Sequence, residues 1–288
     1  MIVLIGAIIV LGSVLGGFMM AGGHIGSLMH LSEFVVIIGA ALGALVIMSP
    51  KRVLVTLAKQ VIGTLKGSPY GAADYEELFK ALYELFMLGR RNGMIALEEH
   101  VTTPQTSSIF SKYPRFTHHA AAIEFLCSGL RPIIDGKIKP DQLKMLLEIE
   151  LQTLEVEDEQ PVHVLVKSAD AMPGFGIVAA VLGIVITMGA IAGPIEEVGH
   201  KVAAALVGTF LGIFISYGFM NPLAVNMEFI NIAHMSYLRC IATAVTGFAN
   251  GMAPIMAIEV ARRGLTSDVK PKADAMEAML KSVTSPAK

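Results

Sequence analysis

Hydrophobic positions in this chain gather into four long runs, at about residues 2–21, 34–50, 172–192 and 202–225. None of the four has a Lys, Arg, Asp, Glu or His in its interior. Each is close to the ~20 residues a helix needs to cross a bilayer, whereas buried helices of soluble proteins are shorter. The runs pair into two hairpins separated by a long charged insert. The expected fold class is therefore an all-α membrane protein: four transmembrane helices in two hairpins, with a large helical cytoplasmic domain. The corresponding division is 1–50 for the first hairpin, 51–171 for the cytoplasmic domain, 172–225 for the second hairpin and 226–288 for a C-terminal cytoplasmic helical region.

Between the hairpins the period changes to that of amphipathic helices. Tyr75, Leu78, Phe79, Leu82, Leu85, Phe86 and Leu88 recur at three- and four-residue spacings, which lines one face of a helix. Ala120 to Leu130 and Leu143 to Leu154 repeat the pattern, the last with Pro140-Asp141 as a start signal. Val162–Val166 has the composition of a short strand but lacks a hairpin signal. The run Gly89-Arg90-Arg91-Asn92-Gly93 interrupts the first stripe, and Met94–His100 resumes it, leaving Arg90 and Glu98 about two turns apart if the helix continues. A further apolar stretch, Ile241–Ile258, contains Asn250 and Pro254 and reads as a helix packed on the cytoplasmic domain or at the interface.

Composition supports the membrane reading: 54% of residues are hydrophobic and 16% charged, with a mean hydropathy of +0.64, against roughly 25% charged in an average soluble domain. The first run has no basic segment before it and exceeds a signal-peptide core in length, so an anchor is favoured over a cleaved signal. Lys51, Arg52, Lys59 and Lys66 follow the second run directly. The short linkers 22–33 and 193–201 hold His24, His30, Glu33, Glu196, Glu197 and His200, with a base (Lys201) only at the inner edge of the second. The positive-inside rule then puts both linkers outside, and the insert and both termini in the cytoplasm. Cys127 and Cys240 read as two ordinary reduced thiols. A net charge of −2 gives no case for nucleic-acid binding. No nucleophile–base pair, metal-ligand cluster or phosphate loop is present, so neither an enzyme nor a metal or cofactor is expected.

Few residues in the apolar runs carry chemistry. Pro173 opens the third run and Pro222 lies near the inner end of the fourth, at matched depth if the two antiparallel spans cross together. Each removes a backbone donor and so marks a site of helix bending. Thr209 and Tyr217 fall on about the same side of one helix. Hydroxyls do not supply the carboxylate that a proton relay uses, so a titratable group is expected from a partner helix. Arg90, Arg91, Glu98 and Glu99 form a charged corner that reads either as a solvated junction or as a docking surface.

Arg90, Glu98, Pro173, Pro222 and the segments Pro173–Gly183, Gly208–Ile213 and Tyr217–Ala224 resemble the MotA stator family of the flagellar motor, as do Gly16-Gly17-Phe18 and Gly22-Gly23 in the opening hairpin. The resemblance covers essentially the whole chain. It implies a homopentamer around two copies of the single-span, peptidoglycan-binding partner MotB, which would bring the proton-accepting aspartate. It also implies that Arg90 and Glu98 engage the rotor protein FliG, that Pro173 and Pro222 couple ion flow to torque, and that Thr209 and Tyr217 face the channel. Sodium-driven relatives typically carry Thr where this chain has Ala180, so protons are expected over sodium. The location implied is the bacterial inner membrane. The alternatives are an energising subunit of the ExbB or TolQ type, with three spans as a rule, and a non-conducting membrane scaffold.

Overall fold

In a computed structural model, residues 2–284 are described; Met1 and residues 285–288, the outermost parts of the first and last expected segments, lie outside them. All regular structure among the described residues is helical, with no strand. The helices are α1 (Ile2–Met20), α2 (Leu31–Met48), α3 (Lys51–Lys66), α4 (Ala72–Asn92), α5 (Glu98–Thr102), α6 (Pro114–His118), α7 (Ala120–Ile134), α8 (Pro140–Gly189), α9 (Ile195–Ile215), α10 (Asn221–Ala249), α11 (Pro254–Arg263) and α12 (Ala273–Thr284). Four stretches are long and apolar enough to cross a membrane: α1, α2, part of α8, and part of the rod from Ile195 to Ala249. The chain divides into two compact units, residues 1–67 with 157–231 and residues 68–156 with 232–288. Of the three boundaries, those at 156/157 and 231/232 fall inside single helices, α8 and α10, and the one at 67/68 follows α3.

The first unit is built on the apolar helices. Ile37 and Ala41 of α2 pack with Met172 and Ala179 of α8 and with Val207 and Leu211 of α9. A second cluster joins Leu57 of α3, Leu165 of α8, and Ala224 and Met227 of α10. The outward faces carry Ile8, Ile47, Val185 and Leu206, all well exposed. That much contiguous apolar surface is unfavourable in water and suits lipid. Amphipathic α3 buries Val53, Leu57 and Thr64 and is tied to α8 by the Arg52–Glu157 ion pair at 2.7 Å. The Asp158 carbonyl accepts side-chain N–H groups from Gln60 and Asn231. Pro161 lies in the next turn of the same helix.

The second unit has a soluble-type core. The α4 stripe read from the sequence is buried, Tyr75, Leu78, Phe79, Leu82, Leu85 and Phe86 included. It packs with Phe125 and Leu130 of α7, with Tyr237 and Phe248 of α10, and with Ile258 of α11. The Phe86 and Phe248 rings stack at 4.3 Å, inclined by 5°. Ile241–Ile258 is part of this core, split into α10 and α11 by a turn in which Gly251 takes φ +85°.

Several local expectations change. Val162–Val166, strand-like in composition but without a hairpin signal, is helical inside α8, in keeping with a helical insert. Gly89 does not break α4, which runs on to Asn92; a Cβ on Gly89 would stand 2.9 Å from the Phe248 ring and 3.1 Å from Leu97. The break is at Gly93, whose φ of +84° is open to glycine at little cost. The helix therefore does not continue from Arg90 to Glu98. The segment 195–201, read as linker, is the first part of α9. Glu33, also read as linker, lies in the first turn of α2 and is buried.

Candidate functional site

Close approach of α8 and α9 is the main feature of the apolar unit. A Cβ on Gly176 would stand 2.9 Å from the Gly208 carbonyl oxygen, and one on Gly212 would stand 2.6 Å from the Met172 carbonyl oxygen. On Gly183 it would meet the Ala205 methyl at 2.7 Å. Backbones at this separation leave no room for side chains, the small-residue packing that holds helices together in lipid. Gly208 and Gly212, one turn apart on α9, supply one half of the seam.

The seam gathers several residues singled out from the sequence. Pro173 follows Met172, whose carbonyl faces Gly212. The Ala180 amide nitrogen is 3.5 Å from the position a Gly208 Cβ would occupy, which sets Ala180 beside Gly208 and its half-buried neighbour Thr209. Pro173 lies within α8 without ending it.

Pro222 is the second residue of α10, directly after a π turn over Ser216–Met220. The wider turn accommodates the hydrogen bond that proline cannot donate, and such turns are frequent at functional sites. Tyr217 lies within it, 62% exposed, while the Ser216 hydroxyl is buried without a partner. Tyr217 is the second residue of that turn, eight residues after Thr209 of α9.

Glu33 was missed as a site residue. Its Oε2 is fully buried with no hydrogen-bond partner and would lie 2.8 Å from a Cβ on Gly208. Gly208 is roughly 20 Å along α9 from its first residue, and Ala180 is about midway between Pro173 and Gly189. A carboxyl of this chain therefore stands level with the middle of two apolar helices, although the apolar runs themselves are free of charge. Its signal in the sequence was position alone, one residue before an apolar run.

In the second unit, the Arg90 guanidinium donates to the Gly251 carbonyl at 3.2 Å. Glu98 opens α5 and is exposed. Among the described residues no ion pair joins the two. Elsewhere in this unit His119 Nε2 lies 3.5 Å from Asp74 Oδ1, with its ring stacked on Tyr70 at 4.8 Å and tilted against Tyr237. Burial lowers the His119 pKa from its ordinary 6.5, and Asp74 opposes that shift. Burial raises the Tyr75 pKa to about 12. Glu259 is held at about 2, chiefly by hydrogen bonds from Arg262 and Arg263.

The class these features define is a helical membrane protein whose apolar helices meet in a glycine seam. Residues 118–228 match the MotA/TolQ/ExbB proton channel family and residues 4–93 match the motility protein A N-terminal family. Motility protein A of Salmonella typhimurium is 35% identical over 286 residues, covering 99% of this chain and 97% of that protein. The fold is also that of C. jejuni MotAB, with a TM-score of 0.76 at 20% identity over 92% of this chain and 96% of that one. For the flagellar MotAB stator complex from Bacillus subtilis the TM-score is 0.72 at 23% identity, over 89% and 92%. The chain belongs to the MotA/TolQ/ExbB proton channel family, on its motility protein A branch.

Proposed function

We propose that this chain is the ion-conducting stator subunit of a flagellar motor, acting with a MotB-type single-span partner to turn proton flow into torque on FliG. The observation that carries the proposal is 35% identity to a motility protein A over 99% of the chain. The match of residues 4–93 to the motility protein A N-terminal family favours this reading over an ExbB or TolQ type of energiser, and over a scaffold.

In this reading α1, α2, the apolar part of α8 and the apolar part of the α9–α10 rod are four spans of the bacterial inner membrane. The basic residues after α2 hold residues 51–171, 226–288 and both termini in the cytoplasm. Five copies surround two copies of the partner. The partner's carboxylate is the principal proton acceptor, and it meets the surface near Pro173, Ala180, Thr209, Pro222 and Tyr217. Neutralising that carboxylate changes which packing against the small-residue helices is favourable, and five equivalent positions around two let each proton advance a relative rotation. The π turn and the two prolines supply places for α8 and the α9–α10 rod to adjust. Both helices carry residues of each unit, so adjustment reaches the helices bearing Arg90 and Glu98, which dock to the rotor. Methyl-bearing Ala180 offers no oxygen to a sodium ion, which favours protons.

The test is to express the chain with its single-span partner in cells lacking their own stator, and to follow swimming and ion flux as external sodium varies at constant pH. Restored swimming independent of sodium is expected. Strict sodium dependence would overturn the proton assignment, and absence of both flux and swimming would overturn the stator reading.

A further inference from the structure

Glu33 combines three properties. It is 7% exposed, its Oε2 has no hydrogen-bond partner, and Oε1 receives only a long contact, 3.4 Å, from the Ser32 hydroxyl. The residue it faces is Gly208, where an added Cβ would stand 2.8 Å from Oε2. The next nearest atoms to that point are the Ala179 methyl at 3.0 Å and the Ala180 amide nitrogen at 3.5 Å.

Among the described residues no cation is paired with this group. On α8 no titratable side chain lies between Asp170 and Gly189. On α9 the nearest candidates are His200 and Lys201; Lys201 is two turns towards the start of the helix and is held by Glu197 at 2.7 Å. Before α2 stands His30, at the residue preceding the helix. A buried carboxyl left without a partner is costly in a purely structural role, and this one also stands in the first turn of α2, at the positive end of its dipole. Among the described residues no cluster of three or more acidic, His or Cys side chains surrounds it, and a metal cation would require several oxygen ligands.

We propose that Glu33 is a second protonation site on the ion path, internal to this chain: a carboxyl that receives a proton from the outer side and passes it towards the partner's carboxylate beside Ala180 and Thr209. The proposal rests on the stator reading given above. On arrival an O–H bond of hydronium breaks and one forms at Glu33 Oε2; on departure that bond breaks, the proton joins the partner's carboxylate, and Glu33 is ionised until the next arrives. Gly208 is the residue that makes room for the carboxyl at this depth.

The test uses the full complex with its partner, comparing wild type with Glu33→Gln and Glu33→Asp for assembly by co-purification and for proton flux across a range of external pH. Glu33→Gln keeps the shape of the neutral acid but cannot exchange a proton. It is expected to assemble, to conduct at least about tenfold less, as loss of a positioned proton-transfer group does, and to lose part of the dependence on external pH; Glu33→Asp restores some of both. An assembled Glu33→Gln complex with wild-type flux and wild-type pH profile overturns the proposal while leaving the stator reading intact. A wild-type complex that conducts nothing overturns the stator reading itself, and this proposal with it. Should Glu33→Gln fail to assemble, labelling of the wild-type complex with an apolar carbodiimide, which attacks protonated carboxyls, decides. Labelling of Glu33 that rises as external pH falls supports the proposal, and absence of label on Glu33 at every pH overturns it.

Discussion

Gly176 of α8 and Gly208 of α9 meet so closely that a Cβ on the first would stand 2.9 Å from the carbonyl oxygen of the second. The atom in the way is backbone, so it has no rotamer to move to. Replacing Gly176 by Val is expected to force α8 and α9 apart, at a cost of about 1–3 kcal/mol for overpacking. A lower melting temperature of the purified complex and lost ion flux are the readouts. Val at Gly174, which has open space around it, should leave the melting temperature near wild type.

Pro173 and Pro222 act through backbone geometry rather than side-chain chemistry. Pro173→Ala restores a donor to the α8 backbone, and Pro222→Ala allows the π turn before it to relax into α-helix. Both are expected to assemble with the partner, and each should reduce torque measured on tethered cells by more than half. Unchanged flux and unchanged torque in Pro173→Ala would remove that proline from the coupling.

Arg90 makes one hydrogen bond, to the Gly251 carbonyl, from an exposed position, so little folding stability depends on it; isolated surface contacts contribute about 0–1 kcal/mol. Arg90→Glu should leave the melting temperature and co-purification with the partner nearly unchanged while swimming is lost. A charge-reversed rotor partner should restore part of it. Failure of Arg90→Glu to assemble would make the residue structural.

His119 gives the second unit a defined pH response. Its pKa is lowered in the folded state by burial, so the unfolded chain binds the proton more tightly. Stability is then fully present above about pH 6.5, the unfolded value, and falls as pH drops through 6.5 towards the lower folded value. Thermal melts of the complex between about pH 8 and 5.5 should show this loss, and His119→Asn should flatten it. Glu259, held near 2 by its arginines, has the carboxylate pattern: its contribution is present above the unfolded value near 4.5 and is lost only in stronger acid, which separates the two effects.

Much of the fold was legible in order. The four apolar runs, the α4 stripe and the start of α8 at Pro140 follow from hydrophobic period and from local start signals, which act over a few residues. Phase and depth were less accessible. The π turn at Ser216–Met220 is one case: nothing in its sequence, Ser-Tyr-Gly-Phe-Met, separates it locally from α-helix. Gly89 looks like a breaker next to Gly93, yet one is a close-packing position and the other a turn, a difference set by Phe248 on a distant helix.

The sequence by itself determined that this chain is helical with four long apolar runs that carry no charge, from which a titratable group on a partner is expected; its likeness to relatives along nearly its whole length sets the family. Only the tertiary structure decided that Glu33 belongs with the apolar helices. Side chains are assigned to a linker or a span by their neighbours along the chain, but solvation depends on neighbours in space. The first turn of α2 packs against Gly208, well along α9, and that contact moves a carboxyl from an apparent outer loop to the level of Ala180.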